Sequence, residues 1–288
     1  MAKIINGEKL AKNIKDEIVG QLVNIDKKIL INGRRPSLAI ILIGGREDSH
    51  LYVGLKEKEA KKIGVDTHLY KFDEEAGEED IKETIKFLNN DDEVDAILLQ
   101  LPLPKKFNTD EIIKLINPKK DVDCLHPDNL EVLSKTCSYD FLMPPLFQVV
   151  FEILRSIDCN INEKKVCLVA NSETFKKNLS KALSCKKALV EAIGPDEDSL
   201  ENKTSQADIL ITAVGRKEFF KKEHIKEGAI IIDIGITKKG GKVFGDVDFK
   251  ECKKKASFIT PVPGGVGPMT VAFALANTVE LYKKNKCK

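Results

Sequence analysis

Five short runs in this chain are apolar or small at nearly every position: residues 37–43 (SLAIILI), 96–99 (AILL), 165–169 (KVCLV), 209–213 (ILITA) and 229–234 (AIIIDI). A strand with one wet face alternates polar and apolar residues. Unbroken runs of strand length instead fit strands covered on both faces, as in a parallel sheet. Between the runs lie charged segments of helix length, at residues 7–30, 49–63, 78–88, 145–157, 174–183 and 269–284. This alternation predicts an α/β architecture with right-handed crossovers.

The chain has 288 residues, which suits about two domains. The first two runs fall in one αβ unit and the last three in another. Residues 139–155 read as a connecting helix opened by Pro144-Pro145. The division is therefore a first domain over residues 1–143 and a second over 144–268. A final helix from Met269 crosses back to complete the first domain.

Hydrophobic residues make up 42% of the chain and charged residues 32%, enough for a sizeable core and a solvated surface. Lys and Arg number 47 against 45 Asp and Glu, a net charge of +2. That balance argues against a nucleic-acid or membrane-surface partner. No apolar run approaches the roughly 18 residues of a membrane span, and the N-terminus lacks a signal-peptide core. A cytoplasmic protein is expected. Its seven cysteines, at 124, 137, 159, 167, 185, 252 and 287, are odd in number and form no CxxC pair. Reduced structural thiols are expected, with neither a zinc site nor a disulfide framework.

Four stretches carry chemistry. Ser49 is a good N-cap for the segment after the first run, and Tyr52 and Lys56, four apart, share one helical face. Their plain alternative is a surface lysine with a half-buried tyrosine. Gln100 follows the second run directly, at the strand end where α/β sheets bind ligands, and Pro102 and Pro104 stiffen the loop behind it. Asp121, Asp123 and His126 make a short acidic turn. No further ligand cluster accompanies it, so a metal is not expected there. Asp123 instead suits a heterocycle that offers two N–H donors to one carboxylate, and His126 suits a structural role. Residues 260–270 (TPVPGGVGPMT) combine three prolines with three glycines just before a helix, which gives a stiff loop with bare backbone.

Absences matter as well. No GxGxxG and no Walker A loop follows any run. The third run leads into Ala170-Asn171-Ser172 without a glycine, whereas the fourth is followed by Val214 and Gly215.

Together these segments resemble the methylenetetrahydrofolate dehydrogenase/cyclohydrolase family. The resemblance is carried by Ser49, Tyr52-Val53 and Lys56; by Gln100 to Pro104; and by Asp121-Val122-Asp123 with His126-Pro127 and Asn129. Ala207-Asp208, Ala213-Val214-Gly215, Asp233 to Ile236, Gly245-Asp246-Val247 and the proline–glycine loop extend it over nearly the whole chain. It implies a folate-binding catalytic domain, a Rossmann-like dinucleotide-binding domain, a folate cleft between them and a homodimer. It further implies that Lys56 is the acid/base, supported by Gln100, and that Tyr52 stacks on the folate. Asp123 would hold the pterin. Ser49, Leu99, Leu101, Pro263, Gly264, Gly265, Val266 and Gly267 would line the tetrahydrofolate site. Ala170, Asn171, Ser172, Gly215 and Ile236 would border NADP.

The dinucleotide half departs from the family pattern. Gly-Arg-Ser is replaced by Ala170-Asn171-Ser172, and Val-Gly-x-Pro by Phe175-Lys176-Lys177-Asn178. The stretch near the adenosine ribose reads about Gly194-Pro195-Asp196-Glu197, and Pro-Cys-Thr-Pro becomes Leu142-Met143-Pro144-Pro145. Three readings follow: a bifunctional enzyme using NADP; a cyclohydrolase whose dehydrogenase half has lapsed or switched to NAD; or a non-catalytic folate-binding scaffold. Two acids beside the ribose would repel a 2′-phosphate, unless Lys176 and Lys177 offset them.

Overall fold

The computed structural model describes residues 1–29, 34–137 and 142–286. In chain order the elements begin with β1 (Lys3–Ile4), α1 (Gly7–Ile29), β2 (Ser37–Ile43), α2 (Glu47–Ile63) and β3 (Asp66–Phe72). Next come α3 (Glu78–Asn90), β4 (Ala96–Leu99), α4 (Thr109–Ile113), α5 (Pro127–Thr136) and α6 (Pro145–Ser156). The chain continues with β5 (Lys165–Ala170), α7 (Glu173–Cys185), β6 (Leu189–Ile193), α8 (Leu200–Thr204) and β7 (Ile209–Ala213). It ends with β8 (Ile230–Asp233), β9 (Thr237–Lys239), β10 (Lys242–Phe244), α9 (Phe249–Cys252), β11 (Phe258–Ile259) and α10 (Val266–Lys286). Residues 139–141 of the expected connecting helix, Leu30 and Cys287 lie outside the described residues.

The elements form two compact units. The N-terminal unit comprises Ala11–Leu133, Ser138–Pro145 and Val271–Lys288. The C-terminal unit comprises Met1–Leu10, Ser134–Cys137 and Leu146–Thr270. Along the chain, α1 and α10 each begin in the C-terminal unit and continue in the N-terminal one.

The N-terminal unit is built on a three-stranded sheet in the order β3-β2-β4, parallel throughout. All seven residues of β2 are buried, as its unbroken apolar run requires. Three residues of α3, Ile81, Ile85 and Leu88, recur at helical spacing and pack on Ala39, Ile41, Ile97 and Leu99. Burying each such side chain contributes roughly 1.5–3 kcal/mol. Edge strand β3 alternates exposed and partly buried residues, so its sequence carries no continuous apolar signal.

The C-terminal unit holds a six-stranded parallel sheet in the order β1-β11-β8-β7-β5-β6. From β5 the chain moves out to β6, then returns to β7 on the other side. The order therefore reverses between β5 and β7. In open α/β sheets the crevice at such a reversal, beyond the strands' carboxyl ends, is where ligands bind. The fold class is the parallel α/β arrangement that the apolar runs predict.

Three local expectations need correction. Helix α2 begins at Glu47 with Arg46 as its N-cap, because Glu47 and Asp48 supply the acidic first turn that favours a helix start. Ser49 therefore sits inside that turn, buried, rather than capping it. Helix α10 begins at Val266, three residues before Met269, because Pro268 is tolerated in a first turn. Cys137, just past α5, is bonded to Cys185 at the end of α7, a separation of 48 residues. Among the described residues, Cys124, Cys159, Cys167 and Cys252 are free. Burial pushes the thiols of Cys167 and Cys252 up to about 12, so both are inert packing groups at neutral pH.

Candidate active site

In the N-terminal unit three elements converge at the carboxyl edge of the sheet. The Gln100 N–H donates to the Ile41 carbonyl at 2.9 Å, which extends the β2–β4 ladder by one residue and fixes where its side chain departs. Lys56, in the third turn of α2, is only 8% exposed. Its Nζ donates to Gln100 Oε1 at 2.8 Å. Gln100 Nε2 in turn donates to the Leu101 carbonyl at 2.7 Å. The amide end of Gln100 is thus occupied, and its carbonyl end is held toward the lysine.

The third element is the turn that carries Asp123. Asp121 makes a parallel bridge to Ile97 of β4, and the Ile97 N–H donates to the Lys120 carbonyl at 2.7 Å. Lys120 Nζ reaches the carbonyls of Leu88 (2.9 Å) and Asp91 (2.6 Å) at the end of α3. Asn277 of α10 donates to the carbonyls of Val122 (2.8 Å) and Met143 (3.0 Å). The turn is fastened on several sides, which is what a group with an orienting task needs.

Electrostatics separate the members of this cluster. Burial pushes the Lys56 ammonium down, and attraction to Asp123 works against that shift. Burial pushes the Asp123 carboxyl up to about 6; Lys56 draws it down and Asp121 raises it further. Burial, then Asp48, raises the half-buried Tyr52 phenol, which stays neutral. Burial thus lowers the proton affinity of the lysine and raises that of the carboxylate in its range, which brings the two closer together than they would be in water.

Asp121 and His126 serve the turn itself. The Asp121 carboxylate accepts from the His126 N–H (2.7 Å) and from Asn129 Nδ2 (3.0 Å). His126 Nδ1 accepts from the Asp128 N–H at 3.1 Å, and Nε2 lies 3.3 Å from the Lys114 carbonyl. Among the described residues, no group of three or more His, Cys, Asp or Glu is placed to hold a metal ion. Leu99 is buried at the end of β4, and Leu101 is partly buried after it.

The remaining named residues lie in the C-terminal unit. In the proline–glycine loop, a Cβ on Gly265 would strike the Pro261 carbonyl, and one on Gly7 would strike that of Gly265. Pro263 and Gly264 stand in this loop, and Val266 and Gly267 open α10. At the reversal point, Ser172 caps α7 and accepts from the Phe175 N–H at 3.2 Å. Asn171 Nδ2 donates to the Val214 carbonyl at 2.8 Å and so ties the two sides of the reversal together. Gly215 follows with φ of 66°, and Ile236 stands between β8 and β9.

Two buried aspartates shape this edge. The Asp246 carboxylate accepts from the N–H groups of Val214 (2.7 Å) and Arg216 (2.9 Å). Asp233 accepts from those of Gly235 (3.0 Å), Asp246 (3.1 Å) and Val247 (2.9 Å). A Cβ on Gly235 would fall on the Asp246 carboxyl group, and one on Gly245 on that of Asp233. Burial, then repulsion from Asp246, pushes Asp233 up to about 7. The sequence gives these aspartates only as part of a resemblance; the roles come from contacts between residues far apart in the chain.

The two acids expected beside a ribose, Asp196 and Glu197, are both paired. Arg216 donates to both oxygens of Asp196, at 2.7 and 2.8 Å. Lys203 donates to Glu197 at 2.9 Å. Lys176 is buried, and its Nζ meets the exposed Glu173 carboxylate at 2.6 Å. Arg216 is the residue that sequence reasoning missed, since nothing in local spacing links it to Asp196, twenty positions earlier.

Two family models match this chain: tetrahydrofolate dehydrogenase/cyclohydrolase, catalytic domain, over residues 5–123, and the NAD(P)-binding domain of the same family over residues 144–286. The chain belongs to the tetrahydrofolate dehydrogenase/cyclohydrolase family. A curated relative, bifunctional protein FolD of Sulfurihydrogenibium sp. (strain YO3AOP1), is 40% identical over 282 residues, covering 98% of each chain. The crystal structure of bifunctional FolD from Campylobacter jejuni is 34% identical, with a TM-score of 0.91 and 99% of each chain covered. That of Trypanosoma brucei FolD, complexed with NADP cofactor and inhibitor, is 31% identical, with a TM-score of 0.93 and 98% of each chain covered. Membership places the Lys56 cluster in the catalytic domain. It places the β5–β7 reversal in a domain that binds a nicotinamide dinucleotide.

The residues present fit that cofactor on their own chemistry. A capped helix N-terminus of 13 residues at a strand-order reversal is a natural phosphate seat. Gly215 keeps its backbone bare on the facing side, with the nearest atom to a Cβ there at 4.0 Å. The glycine-rich turn is missing, and Asn171 stands in its place.

Proposed function

We propose that this protein is a bifunctional enzyme of one-carbon metabolism. It oxidises 5,10-methylenetetrahydrofolate to the methenyl cation, then hydrolyses that cation to 10-formyltetrahydrofolate. The observation that carries the proposal is the buried Lys56–Gln100 pair with Asp123 in electrostatic range. A non-catalytic scaffold has no use for a desolvated lysine, because burying such a group costs free energy that a plain fold would avoid.

Lys56 acts as the acid/base. Burial lowers its proton affinity, and a cationic substrate lowers it further, so a neutral amine is available to take a proton from the attacking water. Gln100 holds that amine in one direction by accepting one of its hydrogens. Asp123 pairs with adjacent N–H donors of the pterin and fixes the substrate, a task that needs its ionised form. Tyr52, one turn before Lys56, offers a neutral ring to stack on the heterocycle, and Ser49, Leu99 and Leu101 line the same side.

Ala170, Asn171, Ser172, Gly215 and Ile236 would hold the dinucleotide, with Ser172 and the first turn of α7 at its phosphates, and the bound group would supply the hydride acceptor. NADP is used but not strongly preferred over NAD, since Asn171 supplies no cation and Asp196 stands where a phosphate ligand would be useful. A homodimer and a cytoplasmic setting complete the proposal. A reducing compartment opposes the Cys137–Cys185 bond, so thiol titration of freshly isolated protein tests the setting.

The test of the whole is three initial rates on purified protein: dehydrogenase with NAD, dehydrogenase with NADP, and cyclohydrolase on methenyltetrahydrofolate. Both activities above background are expected. A cyclohydrolase rate with no reduction of either dinucleotide would instead select the reading in which the dehydrogenase half has lapsed.

A further inference from the structure

In the C-terminal sheet β5 lies between β6 and β7, and all three strands run parallel. Their carboxyl ends therefore share one edge. Asp196 lies three residues past the end of β6, and Arg216 three residues past the end of β7. Their side chains meet in a two-pronged bond, Nη1 to Oδ1 at 2.7 Å and Nη2 to Oδ2 at 2.8 Å. The pair thus spans the carboxyl end of β5, the strand that leads into Ala170-Asn171-Ser172.

The two ends differ in how firmly they are held. The Arg216 N–H is fixed on the buried Asp246 carboxylate at 2.9 Å. Its guanidinium also lies 5.3 Å from the centre of the Phe219 ring, a cation–π distance. Asp196 is 78% exposed, and its carboxylate is paired with the Arg216 guanidinium. Separating an exposed pair of this kind costs little. Arg216 is thus a placed cation, and Asp196 is a loosely held anion occupying both of its donor edges.

We propose that Asp196 and Arg216 form a clasp across the end of β5 that discriminates between dinucleotides with a free ribose 2′-hydroxyl and those with a 2′-phosphate. The proposal rests on the dinucleotide reading above and names the residues that set its cofactor preference. With the clasp closed, Asp196 keeps lone pairs that can accept a ribose hydroxyl, so NAD binds without breaking the pair. A 2′-phosphate needs the same guanidinium edges that Asp196 holds, and it meets a carboxylate beside it. NADP therefore binds only by opening the clasp. Arg216 then takes the phosphate in the two-pronged geometry that suits it.

The test measures dissociation constants of NAD and NADP by calorimetry for the native protein and for Asp196→Asn, Arg216→Gln and the double variant. Both positions are on the surface, and melting curves confirm that each variant is folded. Asp196→Asn is expected to shift the ratio of the two constants toward NADP by about threefold or more, because the guanidinium is set free and the carboxylate beside the phosphate is removed. Arg216→Gln is expected to shift it toward NAD, and the double variant to lose the gain of Asp196→Asn. An unchanged ratio in Asp196→Asn overturns the clasp while leaving the dinucleotide reading intact. So does a gain that survives in the double variant. Failure of every form to bind either dinucleotide overturns the reading itself, and the clasp with it.

Discussion

Replacing Lys56 by methionine keeps an unbranched side chain of similar reach and removes the titrating group. Two opposing stability effects follow. The Lys56–Gln100 bond is lost, at about 1 kcal/mol for a typical intramolecular hydrogen bond, and more if Gln100 Oε1 finds no other donor. Against this, a polar group that is 8% exposed no longer has to be held out of water. The net change is expected within about 2 kcal/mol, so the variant stays folded. Catalysis has no such compensation. A positioned acid/base is worth about 10²–10⁴ in rate, so the cyclohydrolase barrier rises by about 3–5 kcal/mol. The assay follows the disappearance of methenyltetrahydrofolate, corrected for spontaneous hydrolysis, beside a urea unfolding curve. A native rate in Lys56→Met refutes the assignment. So does a rate loss that merely tracks the unfolded fraction, because the residue would then act through stability.

Asp123→Ala is expected to weaken folate binding by about 2 kcal/mol or more, the scale of a lost charged hydrogen bond; calorimetry with an unchanged affinity would remove Asp123 from the site. Its folded-state pKa near 6 lies above the ordinary carboxylate value, so the fold favours the protonated form. That stabilisation is complete below about pH 4 and lost as pH rises through 6. Asp123→Asn, which cannot ionise, should therefore gain stability relative to the native protein over that window, and parallel pH dependences would contradict the assignment of a buried carboxylate. Opening the Cys137–Cys185 bond, which closes a loop of 48 residues, should lower the unfolding free energy by about 2–4 kcal/mol. Superimposable denaturation curves with and without a dithiol reductant would show that the bond contributes nothing. Gly245→Ala places a methyl on the Asp233 carboxyl and should destabilise by about 1–3 kcal/mol, the usual range for overpacking; an unaltered melting temperature would count against the interlocked arrangement.

What the sequence disclosed, and what it hid, follows the range of the interactions. Strands β2, β4, β5, β7 and β8 are buried on both faces, so each announces itself as an apolar run. Edge strands β3 and β6 have exposed positions such as Asp66, Leu189 and Glu191, and their polar residues break the signal. Strands β1 and β11 are two residues each and pair only with distant partners. The Tyr52–Lys56 face and the position of Gln100 are local facts of one helix and one strand end, hence readable. That Lys56 donates to Gln100, 44 positions away, depends on how α2 packs on the β3-β2-β4 sheet. The pairing of Asp196 with Arg216 and the bond between Cys137 and Cys185 are likewise set by the order of strands and helices rather than by spacing. The counter-charges of Asp196 and Glu197 were not legible for that reason: they come from Arg216 after β7 and Lys203 in α8.

The central claim is that one chain carries out two successive steps on one folate. A single-turnover time course tests it most directly, with enzyme in excess over 5,10-methylenetetrahydrofolate and saturating NADP, and a parallel run with NAD. Reduced dinucleotide and 10-formyltetrahydrofolate are followed in the same sample. The account predicts that both form in equal final amounts in at least one run, and that Lys56→Met leaves methenyltetrahydrofolate accumulating at the expense of the formyl product. Reduced dinucleotide with no formyl product above the spontaneous rate in the native protein, or no reduced dinucleotide in either run, would contradict it.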